Sequence, residues 1–279
     1  MLLINAKSVL RKLRLLLRGL AAAELPPVRI DDFFKPKERL SETNYKKNCY
    51  MTWKSPYLPR SHARDLKVFI SKNPQYNFYF FSDSEQSEWM EENFSGTKLL
   101  EIYKNLRFPA SKSDVFRYSI VYKLGGTFFS INRFTSQPLL DFVGELEDFQ
   151  LSFSKVPYIR ESAFPEYPNE FKDFSVIQYT ISAPPKSKVL KNALELLEIK
   201  AESYKGVKFE KVNRAIWNLT GPYLLTDAVD MYLNMGGNRL RVQGFDFLNT
   251  LWIPEGLEFR YFQSPSYMSF KNQEVLKTY

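Results

Sequence analysis

Short runs of aromatic and β-branched residues alternate with longer amphipathic stretches along this chain. The runs Asn48–Trp53, Tyr76–Ser82 and Phe174–Ser182 have the composition of buried strands. Between the first two, Arg60–Ser71 has the apolar spacing of a helix. Such alternation predicts a parallel or mixed sheet with helices covering both faces.

Further stretches predict helices, and the rest of the second half predicts loops and short strands. The helices are expected at Glu85–Asn93, Lys98–Asn105, Pro184–Ser203 and in the amphipathic run that follows Gly221-Pro222 as far as Leu233. The aromatic and proline-rich stretch Phe149–Phe174 is predicted to be a loop, either on the acceptor side of a cleft or an ordinary surface excursion.

The stretch Ser111–Phe134 combines a helix, a glycine stop and a strand. Ser111 and Ser113 are suitable helix N-caps, and the pair Gly125-Gly126 predicts a helix end in a left-handed conformation. The β-branched and aromatic residues that follow predict a short buried strand. Ligands of α/β folds bind where such strands end, so this stretch is the first candidate for a site.

An acid and a base lie near the start of that helix. Asp114 precedes Arg117 by three residues and Tyr118 by four, so all three share one helix face. Taken alone, Asp114 and Arg117 are an ordinary i,i+3 salt bridge at a helix start. Beside a ligand-binding edge, the same pair can bind a polar ligand.

Composition adds positive charge and little metal-binding chemistry. The 279 residues carry a net charge of +8, which favours an anionic partner. The single cysteine, Cys49, excludes an intrachain disulfide and is expected to be a small buried hydrophobe, while the single histidine, His62, is expected on a solvated helix surface. No nucleic-acid-binding motif or basic–aromatic platform is present, so we expect no nucleic-acid partner.

Much of the positive charge lies in residues 1–23. This segment interleaves leucines with Lys7, Arg11, Lys12, Arg14 and Arg18 and contains no acid. The charges oppose a membrane-spanning helix and a secretory signal peptide. The pattern fits an amphipathic helix on an anionic membrane surface, or a helix docked on its own domain or on a partner.

The motifs together resemble the DXD sugar-transferase family, glycosyltransferase family 32. Its pattern is roughly S/A-D-x-x-R-Y-x-x-L-Y-x-x-G-G-x-Y-x-D-x-D. The chain matches it, or replaces it conservatively, at Ser113, Asp114, Arg117, Tyr118, Tyr122, Gly125, Gly126 and Phe128. Further matches follow the family order in Thr52-Trp53-Lys54, Asn73-Pro74-Gln75-Tyr76 and Thr220-Gly221-Pro222.

The resemblance implies a fold and a set of donor-binding residues. The expected fold is a GT-A-like, Rossmann-type mixed α/β sheet over residues 48–279, preceded by a lead-in or linker at 24–47 and the amphipathic helix at 1–23. The resemblance further implies transfer with retention, although no carboxylate can be assigned as a nucleophile. The implied donor-binding residues are Thr52, Trp53, Asp114, Arg117, Tyr118, Gly125, Gly126, Ser130, Asn132, Arg133, Thr220, Gly221 and Pro222. Trp53 could stack on the donor base or belong to the core.

The acids that give the family its name are missing here. Ser130 and Asn132 stand at the two DXD positions, and the closing segment Phe262–Tyr267 has neither the histidine nor the tryptophan common in the family. A hydroxyl and an amide lack the charge that pairs carboxylates with Mn²⁺ or Mg²⁺. The expected metal binding is therefore weak or absent, and no cofactor is certain. Cations such as Lys54, Arg117, Arg133 or Lys271 would then balance the donor diphosphate, although strict strand alternation would turn Arg133 away from Ser130 and Asn132.

Two functions remain open at this point. One is a glycosyltransferase that moves a sugar from a UDP- or GDP-linked donor to a glycan or glycolipid acceptor in surface polysaccharide synthesis. The other is a catalytically lapsed relative that binds a nucleotide sugar or glycan without turnover. In both cases we expect a cytoplasmic protein attached peripherally to a membrane.

Overall fold

A computed structural model describes residues 26–37, 40, 42–135, 137–144, 146–157, 174–252 and 267–279. The helix predicted over 1–23 lies outside the described residues, as do most of the predicted closing segment and residues 158–173 of the predicted loop.

The strands and helices alternate along most of the described chain. The strands are β1 (Val28–Arg29), β2 (Asn48–Thr52), β3 (Tyr57–Leu58), β4 (Asn77–Phe81), β5 (Gly126–Phe129), β6 (Phe134–Thr135), β7 (Phe149–Pro157), β8 (Phe174–Val176), β9 (Thr180–Ala183), β10 (Lys208–Phe209), β11 (Leu240–Phe245), β12 (Leu251–Trp252) and β13 (Gln273–Glu274). The α-helices are α1 (Arg60–Ser71), α2 (Asp83–Phe94), α3 (Lys98–Asn105), α4 (Pro109–Leu124), α5 (Leu139–Val143), α6 (Lys188–Glu202), α7 (Val212–Leu219), α8 (Pro222–Asn234) and α9 (Asp246–Asn249). Short 3-10 helices occur at Asp31–Phe33, Glu42–Lys47 and Tyr267–Ser269.

A mixed seven-stranded sheet forms the centre of the fold. Its strands run in the order β11, β7, β9, β5, β2, β4, with β8 paired to β7. Strands β4, β2 and β5 are parallel, with Asn48 opposite Asn77 and Cys49 opposite Thr127. Strand β9 is antiparallel to β5 and to β7, and β11 is parallel to β7. The predicted class, a mixed sheet flanked by helices, is confirmed.

Alternating side chains of the central strands pack into two separate hydrophobic layers. In β2, Tyr50 packs into one layer, whereas Cys49 and Met51 pack into the other. In β5, Phe128 and Phe129 divide in the same way. Because both faces are covered, the parallel strands consist mostly of apolar residues, and the polar side chains Asn48, Thr52 and Thr127 are buried with them.

Several predicted elements are confirmed with small boundary differences. Helices α1 and α3 have the predicted bounds, and α2 begins at Asp83 because Ser82 and Glu85 form a capping box. Cys49 is fully buried, as expected, and burial raises the pKa of its thiol.

The start of helix α4 was predicted wrongly. Neither Ser111 nor Ser113 is its N-cap, because the helix begins at Pro109, with Phe108 as the N-cap and no side-chain cap bond. Proline suits the first helical position because its ring sets φ and it has no N–H to satisfy there. Asp114 is therefore more than one turn inside the helix.

The second half of the chain needs two further corrections. Phe149–Pro157, predicted to be loop, is a nine-residue strand that pairs with three others. The predicted strand Phe174–Ser182 is divided into β8 and β9, with Ile177–Tyr179 between them. Helix α6 begins at Lys188 rather than Pro184.

The described residues between 26 and 47 pack against the domain. Val28–Arg29 pairs with Tyr57–Leu58, and Ile30 is fully buried in the layer that contains Cys49. Among the described helices, none is long and apolar enough to cross a membrane.

Candidate functional site

The carboxyl ends of the parallel strands define one edge of the sheet. Strands β2, β4 and β5 end there at Thr52, Phe81 and Phe129. The hydroxyl of Thr52 lies 3.0 Å from that of Ser113, so the first turns of α4 meet the end of β2. In open α/β sheets this edge is where ligands bind.

Asp114 is the centre of a buried polar cluster at this edge. Its side chain lies 3.0 Å from Arg117 Nη2 in an ion pair, and it is only 5% exposed. Thr220 Oγ1 donates to Oδ2 at 3.1 Å, and Gln178 Nε2 donates to Oδ1 at 3.2 Å. An ionised carboxylate has about four lone-pair positions. These three contacts leave capacity for one more donor.

Burial and the neighbouring groups shift the pKa of Asp114 in opposite directions. Burial raises the pKa of Asp114 to about 6, while the Arg117 guanidinium and the hydrogen bonds from Thr220 and Gln178 lower it. The carboxyl is thus poised between its charged and neutral forms, and its charge depends on the guanidinium beside it.

Arg117 is held from several sides. Besides the ion pair, its Nη1 donates to the Gln178 carbonyl at 2.9 Å and its Nε to the Ser113 carbonyl at 3.3 Å. Its guanidinium carbon lies 4.8 Å from the centroid of the Phe128 ring. A guanidinium has five N–H donors in a planar fork. Three are used in these contacts, so two remain for a ligand.

Tyr118 joins α4 to the segment before α8. Its hydroxyl lies 2.6 Å from Gln178 Oε1, 2.9 Å from the Thr220 carbonyl and 3.2 Å from the Gly221 carbonyl. A Cβ at Gly221 would lie 2.6 Å from the Trp217 Cα, which explains why glycine stands there. Pro222 then begins α8. Residues about 100 positions apart in the sequence therefore meet, as the resemblance implied.

Ser130, Asn132 and Arg133 follow β5 in a tight turn. The Ser130 N–H donates to the Tyr179 carbonyl at 2.7 Å, and the Arg133 N–H donates to the Ser130 carbonyl at 2.9 Å. The Arg133 guanidinium lies 5.2 Å from the centroid of the Tyr179 ring. Because β5 ends at Phe129, strand alternation does not apply to Arg133, and that part of the sequence argument is wrong.

Gln178 and Tyr179 connect the two halves of the site. Gln178 contacts Asp114, Arg117 and Tyr118, whereas its neighbour Tyr179 contacts the turn after β5. The Tyr179 hydroxyl also donates to Asp246 at 3.1 Å. Gln178, Tyr179 and Asp246 were not predicted to belong to the site. The one available signal was the amide side chain of Gln178 in a predicted strand whose other residues are apolar, aromatic, serine or threonine.

The residues at the DXD positions do not fit a carboxylate-bound divalent ion. Ser130 and Asn132 offer only neutral oxygens, and the Ser130 hydroxyl accepts from the Asn132 N–H at 3.4 Å. In the described part of the chain, no group of three or more histidine, cysteine, aspartate or glutamate side chains is placed to hold a metal. Positive groups at this edge include Arg117 and Arg133.

Trp53 and His62 belong to the layer beneath the turn. Trp53 is 8% exposed and packs edge-on against His62, with ring centroids 5.6 Å apart. The expectation that His62 is solvated is wrong, because it is 1% exposed and its Nε2 lies 2.6 Å from the Ile131 carbonyl. His62 shares a helix face with Leu66 and Phe69, which its charged sequence neighbours obscured. Both side chains thus support the turn from below.

The structure places Gly125 and Gly126 away from the cluster. They lie at the opposite end of α4 from Asp114, on the order of 16 Å along the helix axis. A Cβ at Gly125 would lie 2.6 Å from Pro185 Cδ, and one at Gly126 would lie 2.8 Å from the Asn48 carbonyl. The absence of a side chain at both positions allows close packing around the helix end and the start of β5.

The chain is thus an α/β domain in which the carboxyl edge of the sheet carries a buried acid–arginine pair and a turn rich in neutral oxygens. Residues 59–149 match the family model described as glycosyltransferase sugar-binding region containing DXD motif. The placement of Ser130 and Asn132 at the acid positions of the motif stays a prediction.

Two curated relatives are mannosyltransferases from yeasts. The chain is 23% identical to the initiation-specific alpha-1,6-mannosyltransferase of Candida albicans, over 68% of this chain and 54% of that protein. It is 28% identical to the inositol phosphoceramide mannosyltransferase 3 of Schizosaccharomyces pombe, over 34% of this chain and 27% of that protein. The chain therefore matches about half of the first relative and less of the second.

Solved structures with a similar outline include glycosyltransferases. The PaToxG glycosyltransferase aligns with a TM-score of 0.48 at 16% identity, over 78% of this chain and 74% of that one. The catalytic domain of alpha-toxin from Clostridium novyi aligns with a TM-score of 0.37 at 10% identity, over 70% and 65%. These values mark loose likenesses of overall shape.

Proposed function

We propose that this chain is a glycosyltransferase that moves a sugar from a nucleotide-sugar donor to a glycan or lipid-linked acceptor, with little or altered dependence on a divalent metal. The observation that carries the proposal is the buried cluster of Asp114, Arg117, Gln178 and Thr220 at the carboxyl edge of the sheet. It lies partly within the sugar-binding region of the family, residues 59–149.

Asp114 is the proposed acceptor for a hydroxyl of the donor sugar. Three partners fix the position of its carboxylate, and one lone-pair position remains for a hydroxyl donor. Tyr118 fixes the orientation in turn, because its hydroxyl contacts both Gln178 Oε1 and the Thr220 carbonyl. Such a held carboxylate can orient a sugar without rearranging when the sugar binds.

Arginine is the proposed counter-charge for the leaving diphosphate. In transfer, the bond from the anomeric carbon to the diphosphate oxygen breaks with its electron pair going to the diphosphate. The acceptor hydroxyl oxygen then forms the new bond to the anomeric carbon, and its proton passes to an oxygen of the departing diphosphate. Negative charge grows on the leaving oxygen, and positive groups fixed nearby stabilise it. Arg133, at the turn after β5, and the two unused N–H groups of Arg117 are the proposed partners.

The relatives suggest which substrates to test first. Both are named as mannosyltransferases, so a mannose-bearing nucleotide is the first donor to examine. The name of one also includes inositol phosphoceramide, which makes a phosphorylated glycolipid a suitable acceptor class. A role in surface polysaccharide synthesis is part of the same proposal.

The test is a screen of UDP- and GDP-sugars for binding and hydrolysis, with and without Mn²⁺. The wild type is compared with the double variant Ser130→Asp/Asn132→Asp, which restores the family acids. We expect the wild type to bind a donor without Mn²⁺, and the double variant to gain about tenfold or more in affinity when Mn²⁺ is added, because two carboxylates supply the missing charge.

The outcomes separate the candidate functions. Turnover by the wild type supports the transferase. Binding without turnover, with turnover restored in the double variant, identifies a lapsed enzyme, a reading that the neutral oxygens of Ser130 and Asn132 favour. Absence of donor binding in both proteins would sink the sugar-nucleotide proposal.

Peripheral attachment to a membrane through residues 1–23 is a second part of the proposal. Its support is the sequence pattern of leucines and cations without acids. We expect the full chain to sediment with anionic liposomes, and a chain lacking residues 1–23 to stay largely in the supernatant. Equal sedimentation of the two proteins contradicts the attachment, and neutral liposomes are the control for charge.

A further inference from the structure

A cavity lies beside the candidate donor site, on the other side of the first turns of α4. Its volume is about 500 Å³, and its lining includes Asp83, Tyr103, Arg107, Lys112 and Lys277. Sites of about 300–1,000 Å³ accommodate small molecules. The cavity is thus large enough for an organic ligand, not only for a single ion.

Positive charge dominates the lining. Besides Arg107, Lys112 and Lys277, the lining includes Lys104, whereas its one acid is Asp83. Lys104 is paired with Glu91 at 2.7 Å, and Arg107 with Glu274 at 3.3 Å. Within the described part of the chain, no such ion pair joins Lys112 or Lys277 to an acid.

The two lysines without ion-pair partners act on each other. Lys112 is half-buried over the Tyr103 ring, 5.4 Å from its centroid. Burial lowers the pKa of Lys112, and the like charge of Lys277 lowers it further, while Asp83 opposes both. Like charges held together near a partly desolvated wall are unfavourable unless an anion joins them.

The cavity lies close to the same edge of the sheet. Asp83 follows the end of β4 by two residues, and Lys112 immediately precedes Ser113, which contacts Thr52. Burial raises the pKa of Asp83, and the nearby charges of Lys112 and of Lys54, next to Trp53, oppose that rise. A ligand in the cavity would therefore lie next to, and outside, the Asp114 cluster.

We propose that this cavity binds a phosphate-bearing ligand through Lys112 and Lys277. Two unpaired ammonium groups match the two negative charges of a phosphate monoester or a diphosphate better than the single charge of a carboxylate. Lysine binds phosphate as a point charge and needs no bidentate geometry. The rest of the ligand occupies the remaining volume and contacts Tyr103. The proposal does not rest on the proposed transferase activity, because it concerns other residues.

The source of the phosphate is either a lipid headgroup or a soluble phosphate ester. Lysine acetylation footprinting of the full wild-type chain distinguishes them. One arm adds inorganic pyrophosphate. The other adds vesicles of phosphatidylcholine and phosphatidic acid in a four-to-one ratio, with pure phosphatidylcholine vesicles as the control. The exposed lysines Lys72 and Lys188, remote from the cavity lining, are internal references.

We expect Lys112 and Lys277 to be protected while Lys72 and Lys188 are not. Protection by pyrophosphate indicates a soluble ligand, and protection by the phosphatidic acid vesicles alone indicates a headgroup. Both results support the proposal. Protection at neither cavity lysine, or equal protection at all four, overturns it. Because this measurement uses the unaltered chain, its outcome does not depend on a variant folding.

A matched pair of variants supplies the second readout. The changes Lys112→Gln/Lys277→Gln and Lys72→Gln/Lys188→Gln remove the same charge from different places. We expect the cavity variant to bind the protecting probe about tenfold or more weakly, and the reference variant to bind like the wild type. Equal affinity in the two variants contradicts the assignment. Failure here leaves the donor screen unaffected, and failure of the donor screen leaves this result unaffected.

Discussion

Replacing Arg117 with glutamine is expected to destabilise the protein by about 3–5 kcal/mol, because it leaves a buried carboxylate without its counter-charge. Asp114 is 5% exposed, and its side chain and that of Arg117 form an ion pair at 3.0 Å. Urea unfolding of Arg117→Gln and of the wild type at pH 8 measures the difference. The matched control is Lys191→Gln, which breaks the exposed Lys191–Glu195 pair at 2.9 Å. We expect little change there, since surface pairs contribute little.

The loss in Arg117→Gln should depend on pH in a defined direction. Burial already raises the pKa of Asp114 to about 6, and removing Arg117 raises it further. A carboxyl with a raised pKa in the folded state stabilises the fold when protonated. That contribution is present below the ordinary pKa and is lost as pH rises through the folded-state pKa. The variant should therefore lose less stability at pH 4.5 than at pH 8.

The double variant Asp114→Asn/Arg117→Gln separates pairing from packing. Removing the charge of Asp114 as well should recover part of the stability lost in Arg117→Gln, so the two single changes should not add. Donor binding should be lost in Asp114→Asn, in Arg117→Gln and in the double variant, since each lacks a group proposed to hold the sugar or the diphosphate. A loss equal at the two pH values, or additive changes, would show that Asp114 does not depend on Arg117 for its charge.

Local sequence patterns predicted the elements that local forces determine. Helices α1 and α3 have the predicted bounds because their apolar faces and termini are encoded within a few residues. Strands β2 and β4 were also predictable, since parallel strands covered on both faces are rich in apolar and aromatic residues.

Elements that depend on distant partners were not predictable in this way. Strand β7 alternates apolar and polar residues over Phe149–Ser154, but the aromatic and proline-rich stretch that follows obscured this signal. Its pairing partner β11 begins about 90 residues later, with Leu240 opposite Phe149. The break between β8 and β9 has a similar cause. It lets Gln178 turn toward α4, and the hydrogen bonds to Asp114 and Tyr118 exist only once α4 is in place.

The candidate site was predictable as far as its motifs extend. The sequence brought Asp114, Arg117 and Tyr118 together on one helix face, and the resemblance added Thr220 and Gly221, which do contact that face. The same resemblance grouped Gly125 and Gly126 with the donor site, although they lie at the far end of the helix. A motif records which residues a fold needs, and it does not separate those that pack from those that bind.

Replacing Gly125 with alanine tests that separation, and we expect it to destabilise the fold by about 3–5 kcal/mol. Gly125 has φ 67° and ψ −173°, a combination that is essentially restricted to glycine. An added Cβ would also lie 2.6 Å from Pro185 Cδ and 2.8 Å from Tyr45 Cδ2, so helix end and neighbours would have to shift. The cost therefore combines backbone strain with a steric clash.

Gly96→Ala is the matched control, because it has the strain without the clash. Its φ is 74°, and an added Cβ would meet nothing within 4 Å, so we expect a loss of only about 1–2 kcal/mol. Urea unfolding of the two variants gives the comparison. Equal losses would show that the contacts with Pro185 and Tyr45 yield at little cost. If Gly125 acts only through packing, donor affinity measured per folded molecule should change little in Gly125→Ala, in contrast to Arg117→Gln. A large loss of donor affinity in a folded Gly125→Ala protein would show that Gly125 takes part in donor binding.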